Sequence, residues 1–242
     1  MAMLDPIKIA FAQYLVRYHA QLKPTTTGIG RYLKRDVRQG IVWAPSRMVD
    51  QAQDMLALWI KASINGASTR PPDLPVIVVA MAQDYLPTGR DYSRQLADRH
   101  WIHLPDDPKA RLFGLRTVAA DIRAQLVIFS SSQPSASALA AQFLLFADAT
   151  DNRRFMADYA FSGITTRWPV QLDTPENPAM RIESEAENLT ILAIDINLHA
   201  TIPLFDAPDE GHAHDGQGND HDPNDRHGWP VMSTPNIEAI DP

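Results

Sequence analysis

Two segments of this 242-residue chain restrict its fold more than any other feature. In "TVAADIRAQLVIFSSS", residues 117–132, the positions Val118, Ala120, Ile122, Ala124, Leu126 and Ile128 alternate with Ala119, Asp121, Arg123, Gln125 and Val127. In "LTILAIDINLHATIPLF", residues 189–205, Leu192, Ile194, Ile196, Leu198, Ala200 and Ile202 alternate with Ala193, Asp195, Asn197, His199 and Thr201. Successive side chains of a strand point to opposite faces, so a period of two over this length predicts long strands, each with one packed face. Pro203 has no N–H to give to a neighbour, and is expected to end the second strand or confine its end to an edge. His199 shares the outward side with Asp195 and Asn197, and that side reads as a solvated face.

The rest of the chain divides around these strands. Residues 5–21 carry a helical period, with Ile9, Ala10, Gln13, Tyr14 and Arg17 placed so that one flank is apolar. "GRYLKRDVRQG", residues 30–40, sets Arg31, Lys34, Arg35 and Arg38 against Asp36. It reads as a solvated loop or helix face, with contact to an acidic partner as the alternative. "SRMVDQAQDMLALWIKASING" predicts a second helix: Ser46 can cap its start, Met48, Met55, Leu56 and Trp59 fall near one side, and Gly66 suits its end. Val76–Val79 is a β-branched run of the kind found in a buried strand. Residues 84–114 are polar and rich in turn formers, and predict a long excursion in which His100 and His103 flank Trp101 and Ile102. Ser130–Ser132 and Pro134 then open a helix in which Leu139, Phe143 and Phe146 recur at helical spacing beside Ala136, Ala140 and Ala147. The order of elements implies an α+β fold: a single mixed, mostly antiparallel sheet with helices packed mainly on one face. Residues 1–205 are expected to form that domain, with a helical region over about 1–70, and 206–242 an extended arm.

Charge separates the arm from the body. The net charge is −7, and from Asp206 to the end nine acidic residues and Arg226 sum to −8, leaving +1 for the first 205 residues. A nearly neutral body gives no reason to expect strong general binding to nucleic acid. The chain has no cysteine, which excludes disulfide frameworks, thiolate zinc sites and cysteine nucleophiles. Asp5 and Pro6 stand where a secretory signal would be basic, and no apolar run approaches the roughly 20 residues of a membrane helix. Synthesis in a cytoplasm, without membrane association, is the expectation.

Signatures of chemistry are few. Neither GxxxxGK[ST] nor a strand-linked GxGxxG occurs, and GxSxG and HExxH are also missing. Ser130–Ser132 lie between a strand and a helix, where a nucleophile can sit, but the same serines serve as helix caps. Asp106 with Asp107, and Glu183 with Glu185 and Glu187, read as solvated carboxylates. A hydrolytic pair would need two carboxylates converging across a cleft. The densest polar tract is "GHAHDGQGNDHDPNDRHGW", residues 211–229. Its His212, His214, Asp215, His221, Asp222 and His227 are candidate ligands for a divalent ion. The calcium-loop pattern fails, because "DGQGND" puts glycines at its second and fourth positions. A tract of this composition forms no core of its own, so an interaction arm, a solvated linker and a metal site are its three readings. As an arm it would be anchored through Trp229, Val231, Met232, Ile237 and Ile240 against itself in a neighbouring subunit or against a partner.

Residues from about 112 to 205 resemble the tail terminator (tail completion) family and related neck proteins of bacteriophage tails. Two long alternating strands flank "SSQPSASALAAQFLLFADATDNRRFMADY", followed by "WPVQL" and "LTILAIDINLHATIPLF". The resemblance covers roughly 40% of the chain and rests on order and texture without an invariant signature. It implies a non-enzymatic structural protein of the virion, located at the tail neck and made in the host cytoplasm. It implies a ring, usually a hexamer, that caps the tail tube and meets the head connector or collar and, in contractile tails, the sheath. No catalytic residue and no cofactor are implied, and genome DNA would pass through without sequence-specific binding. The acidic arm or the Glu183–Glu187 series would then suit a lumen that does not retain DNA. The chain departs from the smaller members in its length, its long N-terminal region and its acidic tail. Another collar or baseplate ring protein therefore remains an alternative. In a different class, so does a divalent-metal-dependent enzyme built on the His/Asp tract.

Overall fold

The computed structural model describes residues 3–45, 51–65, 74–88, 95–103, 112–161, 164–173, 179–183 and 188–206. Its contacts group the chain into two compact units. The first comprises Met1–Gly89, Ala120–Asp158 and Arg167–Ala200, and the second Arg90–Ala119, Tyr159–Thr166 and Thr201–Pro242. Both lie across the expected 1–205 domain; the expected 206–242 arm lies, beyond Asp206, outside the described residues.

The strands are β1 (Ile41–Trp43), β2 (Val76–Met81), β3 (Leu86–Pro87), β4 (Leu96–His103), β5 (Leu112–Ser130), β6 (Arg154–Phe161), β7 (Ile164–Asp173), β8 (Met180–Ile182) and β9 (Thr190–Asp206). The helices are α1 (Asp5–Gln21), α2 (Thr27–Tyr32), α3 (Val37–Gly40), α4 (Ala52–Asn65) and α5 (Gln133–Asp148). The strands form one nine-stranded sheet in the order β1-β2-β5-β9-β7-β6, with β3 and β4 also on β5 and β8 on β9. β1 and β2 are parallel and β2–β5 and β7–β9 antiparallel. The class is α+β with a mixed, mostly antiparallel sheet, as the alternation implies.

In the first unit both faces of the central strands are covered. Trp43 on β1 meets Phe11 of α1 edge-on at 6.2 Å. Trp43 lies opposite Val79, and Val79 opposite Leu126, so these three residues share the face that α1 covers. α5 joins α1 there: Tyr18 packs on Phe143 at 5.2 Å and donates its hydroxyl to the Leu139 carbonyl at 2.8 Å. The opposite face carries Val76, Val78, Ala80, Val127, Phe129, Ile191 and Ala193, and α4 closes it with Ala52 and Met55. A parallel pair needs a long crossover, and α4 lies in the one between β1 and β2.

This covering explains where the sequence reading was incomplete. The inward residues Ile122, Ala124, Leu126 and Ile128 are buried as expected, but so are Gln125, Val127 and Phe129 on the other face. On α1 the buried line is Ile7, Ala10, Phe11, Tyr14, Leu15 and Tyr18, while Ile9 faces outward, 49% exposed. On α5 all six expected positions are buried, with Pro134 in its first turn. Of the α4 prediction, Met55 is fully buried and Leu56 packs beside it. Ser46, Met48, Gly66 and the side chain of Trp59 lie outside the described residues.

Most of the described residues of the expected excursion over 84–114 are in strands. β3 pairs with β5 through Leu86↔Asp121, and β4 pairs through His100↔Leu115, Trp101↔Gly114 and His103↔Leu112, with a register shift after Leu96. Pairing with a neighbouring strand outweighed its polar composition, since an antiparallel strand can leave one side to solvent. His100 and His103 are three apart on β4. β9 continues through Pro203 to Asp206.

The second unit has its own small core, in which Phe113 meets Phe161 at 5.3 Å and Phe161 stacks on Phe205 at 5.0 Å, with Ile164 and Ile102 beside them. Gly114 admits the Arg99 stem: an added Cβ would lie 2.8 Å from its Cδ. Arg99 and Arg116 both reach Asp206, each at 3.2 Å.

Packing on two faces sets an energetic expectation. Phe129→Ala removes a fully buried ring from the α4 side and should lower stability by ~3–5 kcal/mol, whereas Leu145→Ala, at a residue 74% exposed, should change it by less than ~0.5 kcal/mol. Urea unfolding followed by circular dichroism measures both.

Candidate functional site

The face of the first unit that α4 covers does not stay apolar along β5 and β9. Phe129, Val127, Gln125, Arg123 and Asp121 follow one another on it along β5, as do Ile191, Ala193, Asp195, Asn197 and His199 along β9. Gln125 Nε2 donates to Asp195 Oδ1 at 2.7 Å, and four residues further along each strand Asp121 Oδ1 lies 2.5 Å from His199 Nδ1. From β7, Asp173 Oδ2 approaches the other ring nitrogen, His199 Nε2, at 3.3 Å. Gln171 is opposite His199, and Asp173 is opposite Asn197. Three strands thus contribute to a polar cluster in which His199 and Asp121 keep only 17% and 19% of their side-chain exposure. The expected solvated face around His199 is a partly buried network.

The chemistry open to this cluster is limited by geometry. Nδ1 of His199 is hydrogen-bonded to Asp121, and Nε2 lies 3.3 Å from the Asp173 carboxylate. The two carboxylates lie on opposite sides of the ring, and a single ion could not bind both of them together with an imidazole nitrogen. Among the described residues there is no group of three or more His, Asp or Glu suited to a metal ion. The arrangement acts as a clamp that joins β5, β9 and β7 where the apolar packing under α4 has ended.

The serines at 130–132 belong to a different construction. Ser132 is the N-cap residue of α5, and its hydroxyl donates to Ser135 Oγ at 2.9 Å. Ser135 Oγ is 2.8 Å from Thr26 Oγ1, which also accepts from the Ile29 N–H at the start of α2. Ser130 Oγ donates to the Ser132 carbonyl and accepts from its N–H. Gly28 permits this approach of α2 to α5, since a Cβ there would sit 2.6 Å from Ser135 Oγ. These hydroxyls tie two helix starts together, and no histidine or carboxylate among the described residues hydrogen-bonds to them.

His212, His214, Asp215, His221, Asp222 and His227, and the anchors Trp229, Val231, Met232, Ile237 and Ile240, lie outside the described residues, as do Asp106, Asp107, Glu185 and Glu187. Glu183 is exposed and accepts from Gln53 through its carbonyl. No helix among the described residues is long and apolar enough to cross a membrane.

The start of the basic stretch at 30–40 borders a shallow depression. Thr25, Thr27, Gly30, Arg31 and Lys34 line an open cleft of about 520 Å³. Arg35 is turned inward, over the Tyr32 ring at 5.1 Å and bonded to the Pro75 carbonyl. Arg31, Lys34 and Arg38 are exposed and have no carboxylate partner among the described residues.

His19, in the last turn of α1, is held below the ordinary histidine value of 6.5, first by burial and then by the nearby Arg35, with Asp36 opposing. Its Nε2 is buried without a hydrogen-bond partner among the described residues, and its ring lies 5.2 Å from that of Tyr32.

No protein-family model matches this chain, and no curated protein matches it.

Two predictions follow from these environments. Asp121→Ala leaves His199 with one carboxylate and should cost about 1–2 kcal/mol, the range for a partly exposed charge-assisted bond, in urea unfolding. For His19 the folded-state value is depressed, so on acidification the unfolded chain takes up the proton first and stability falls as pH drops below 6.5. His19→Phe should remove this part of the loss. The variant should gain on the parent in melting temperature between pH 7.5 and 5; a constant difference would contradict the assignment.

Proposed function

We propose that this protein is a structural subunit of a bacteriophage tail neck, resembling the tail terminators, which assembles as a ring on the end of the tail tube and presents a surface to the head connector. The observation that best supports the reading is an open sheet edge. β6 is the last strand in the sheet order and, among the described strands, pairs with β7 alone. In Arg154–Asp158 every second residue is exposed, Met156 among them at 38%. An edge strand is a ready template for another chain, and on this one the exposed Met156 stands between the charged Arg154 and Asp158, the latter 3.5 Å from Arg167. Helix α1 adds Ile9 and Val16, both nearly half exposed and two turns apart on one line. Rings form from heterologous contacts between two different surfaces of one subunit, and an open edge with a separate apolar line offers two such surfaces.

In this reading the body's lack of net charge suits a conduit past which DNA moves without being held. The partners are other copies of the chain, the tail tube protein, the head connector or collar and, in a contractile tail, the sheath. A different collar or baseplate ring would use the same surfaces.

Light scattering after size exclusion tests the assembly. A discrete mass near six times 27.0 kDa is expected, with a ring and central channel in electron micrographs. A Met156→Lys variant, which replaces the exposed apolar residue between Arg154 and Asp158 with a charge, should shift the population toward monomer while leaving the melting temperature within a degree or two. A parent protein that stays monomeric at every concentration would overturn self-assembly into a ring.

A further inference from the structure

We propose that the cleft lined by Thr25, Thr27, Arg31 and Lys34 is the docking site for the acidic C-terminal segment of a second copy, Asp209–Asp225. The inference rests on the ring reading and assigns one of its contacts. Three observations lead to it. The cleft is concave, about 520 Å³, and is lined by two exposed cations and threonine hydroxyls. Arg31, Lys34 and the neighbouring Arg38 have no carboxylate partner among the described residues, while Arg35 of the same stretch is engaged with Tyr32 and the Pro75 carbonyl. The chain also contains its own complement: a body of +1 and a C-terminal stretch of −8 from Asp206 onward.

Like charges repel along one segment, and a segment carrying Asp209, Glu210, Asp215, Asp220, Asp222 and Asp225 is relieved of that repulsion by a site of opposite sign. Single exposed ion pairs contribute little. Carboxylates meeting Arg31 and Lys34 together, with the Arg31 guanidinium fork able to hold a carboxylate through two bonds, form a network instead. Reach is no obstacle. Asp206 is held by Arg99 and Arg116, and a chain extending from it to Asp225 spans up to roughly 60 Å, enough to reach a neighbouring subunit. Thr25 and Thr27 add hydroxyl donors at the rim, and the hydroxyl of Thr26 is already used between Ser135 and Ile29.

Zero-length carbodiimide coupling of the full-length protein tests the contact, because it joins a carboxylate to a lysine amine only where the two touch. The products are separated by denaturing electrophoresis, and the covalent-dimer and monomer bands are peptide-mapped separately. The expected result is a Lys34 peptide joined to a peptide from 209–225 in the dimer band, with a yield several-fold lower in Arg31→Glu and in 0.5 M salt. Arg31 is exposed, so that variant should keep the parent's melting temperature. The same joined peptide confined to the monomer band would overturn docking in a second copy. So would equal coupling to Lys8 and Lys23, which would show nonspecific attraction. Light scattering on the same sample separates the two proposals: an oligomer in which Lys34 is not joined to the segment overturns the cleft assignment alone, and a monomer overturns the ring as well.

Discussion

The first unit depends on keeping water from both faces of β5 and β9 at one end. Val127, Phe129, Ile191 and Ala193 face α4, while Leu126, Ile128, Ile194 and Leu192 occupy the other side of the same strands. Covering one face alone would leave a band of buried-type residues in water, at a cost of about 25 cal/mol for each Å² of apolar surface. The helices therefore follow from the strands. α4 is placed by the parallel β1–β2 pair, whose crossover contains it, and α1 and α5 are placed by the aromatic contacts of Phe11, Tyr14 and Tyr18 with Trp43, Phe155, Phe143 and Phe146.

Where α4 no longer covers the sheet, polar pairing takes over. Gln125 with Asp195, and Asp121 with His199 and Asp173, fill the same face with groups that bond across strands. One register satisfies both regimes: apolar residues meet under the helix, and donors meet acceptors beyond it. A slip of one residue would turn Asp121 and His199 toward the α1 side and bring Ile122 and Leu198 out, so the network also selects against misregister. This gives partly buried charge a structural purpose without requiring catalysis.

The alternation of β5 and β9 and the helical spacing of α5 were legible because each depends on periods within one segment. The second covered face was not, because Val127, Phe129, Ile191 and Ala193 occupy positions that a period of two assigns to the outside, and only a helix from elsewhere in the chain buries them. The strands β3 and β4 were hidden for a related reason: Leu96–His103 is polar on its own and becomes a strand by pairing with β5. The clamp left a faint trace. Asp121 and Gln125 are four apart, as are Asp195 and His199, and matched polar spacings on two predicted strands are what antiparallel partners show when they pair in opposite directions. Asp173 left no such trace, since its position depends on β7 lying next to β9.

The segregation of charge bears on how such a subunit can remain soluble and still assemble. An open β6 edge and exposed apolar residues at Ile9, Val16 and Leu145 favour association, and a body with almost no net charge offers little electrostatic resistance to it. The acidic stretch supplies that resistance as long as it is in solvent, because copies that each carry −7 beyond their β9 strands repel one another. If the stretch is neutralised against a basic cleft, the same charge changes from a barrier into a contact. Its strength would then fall with ionic strength, whereas apolar contacts along the edge would not weaken. The two kinds of surface would therefore respond differently to salt, and the salt dependence of assembly would report which of them limits the first encounter between subunits.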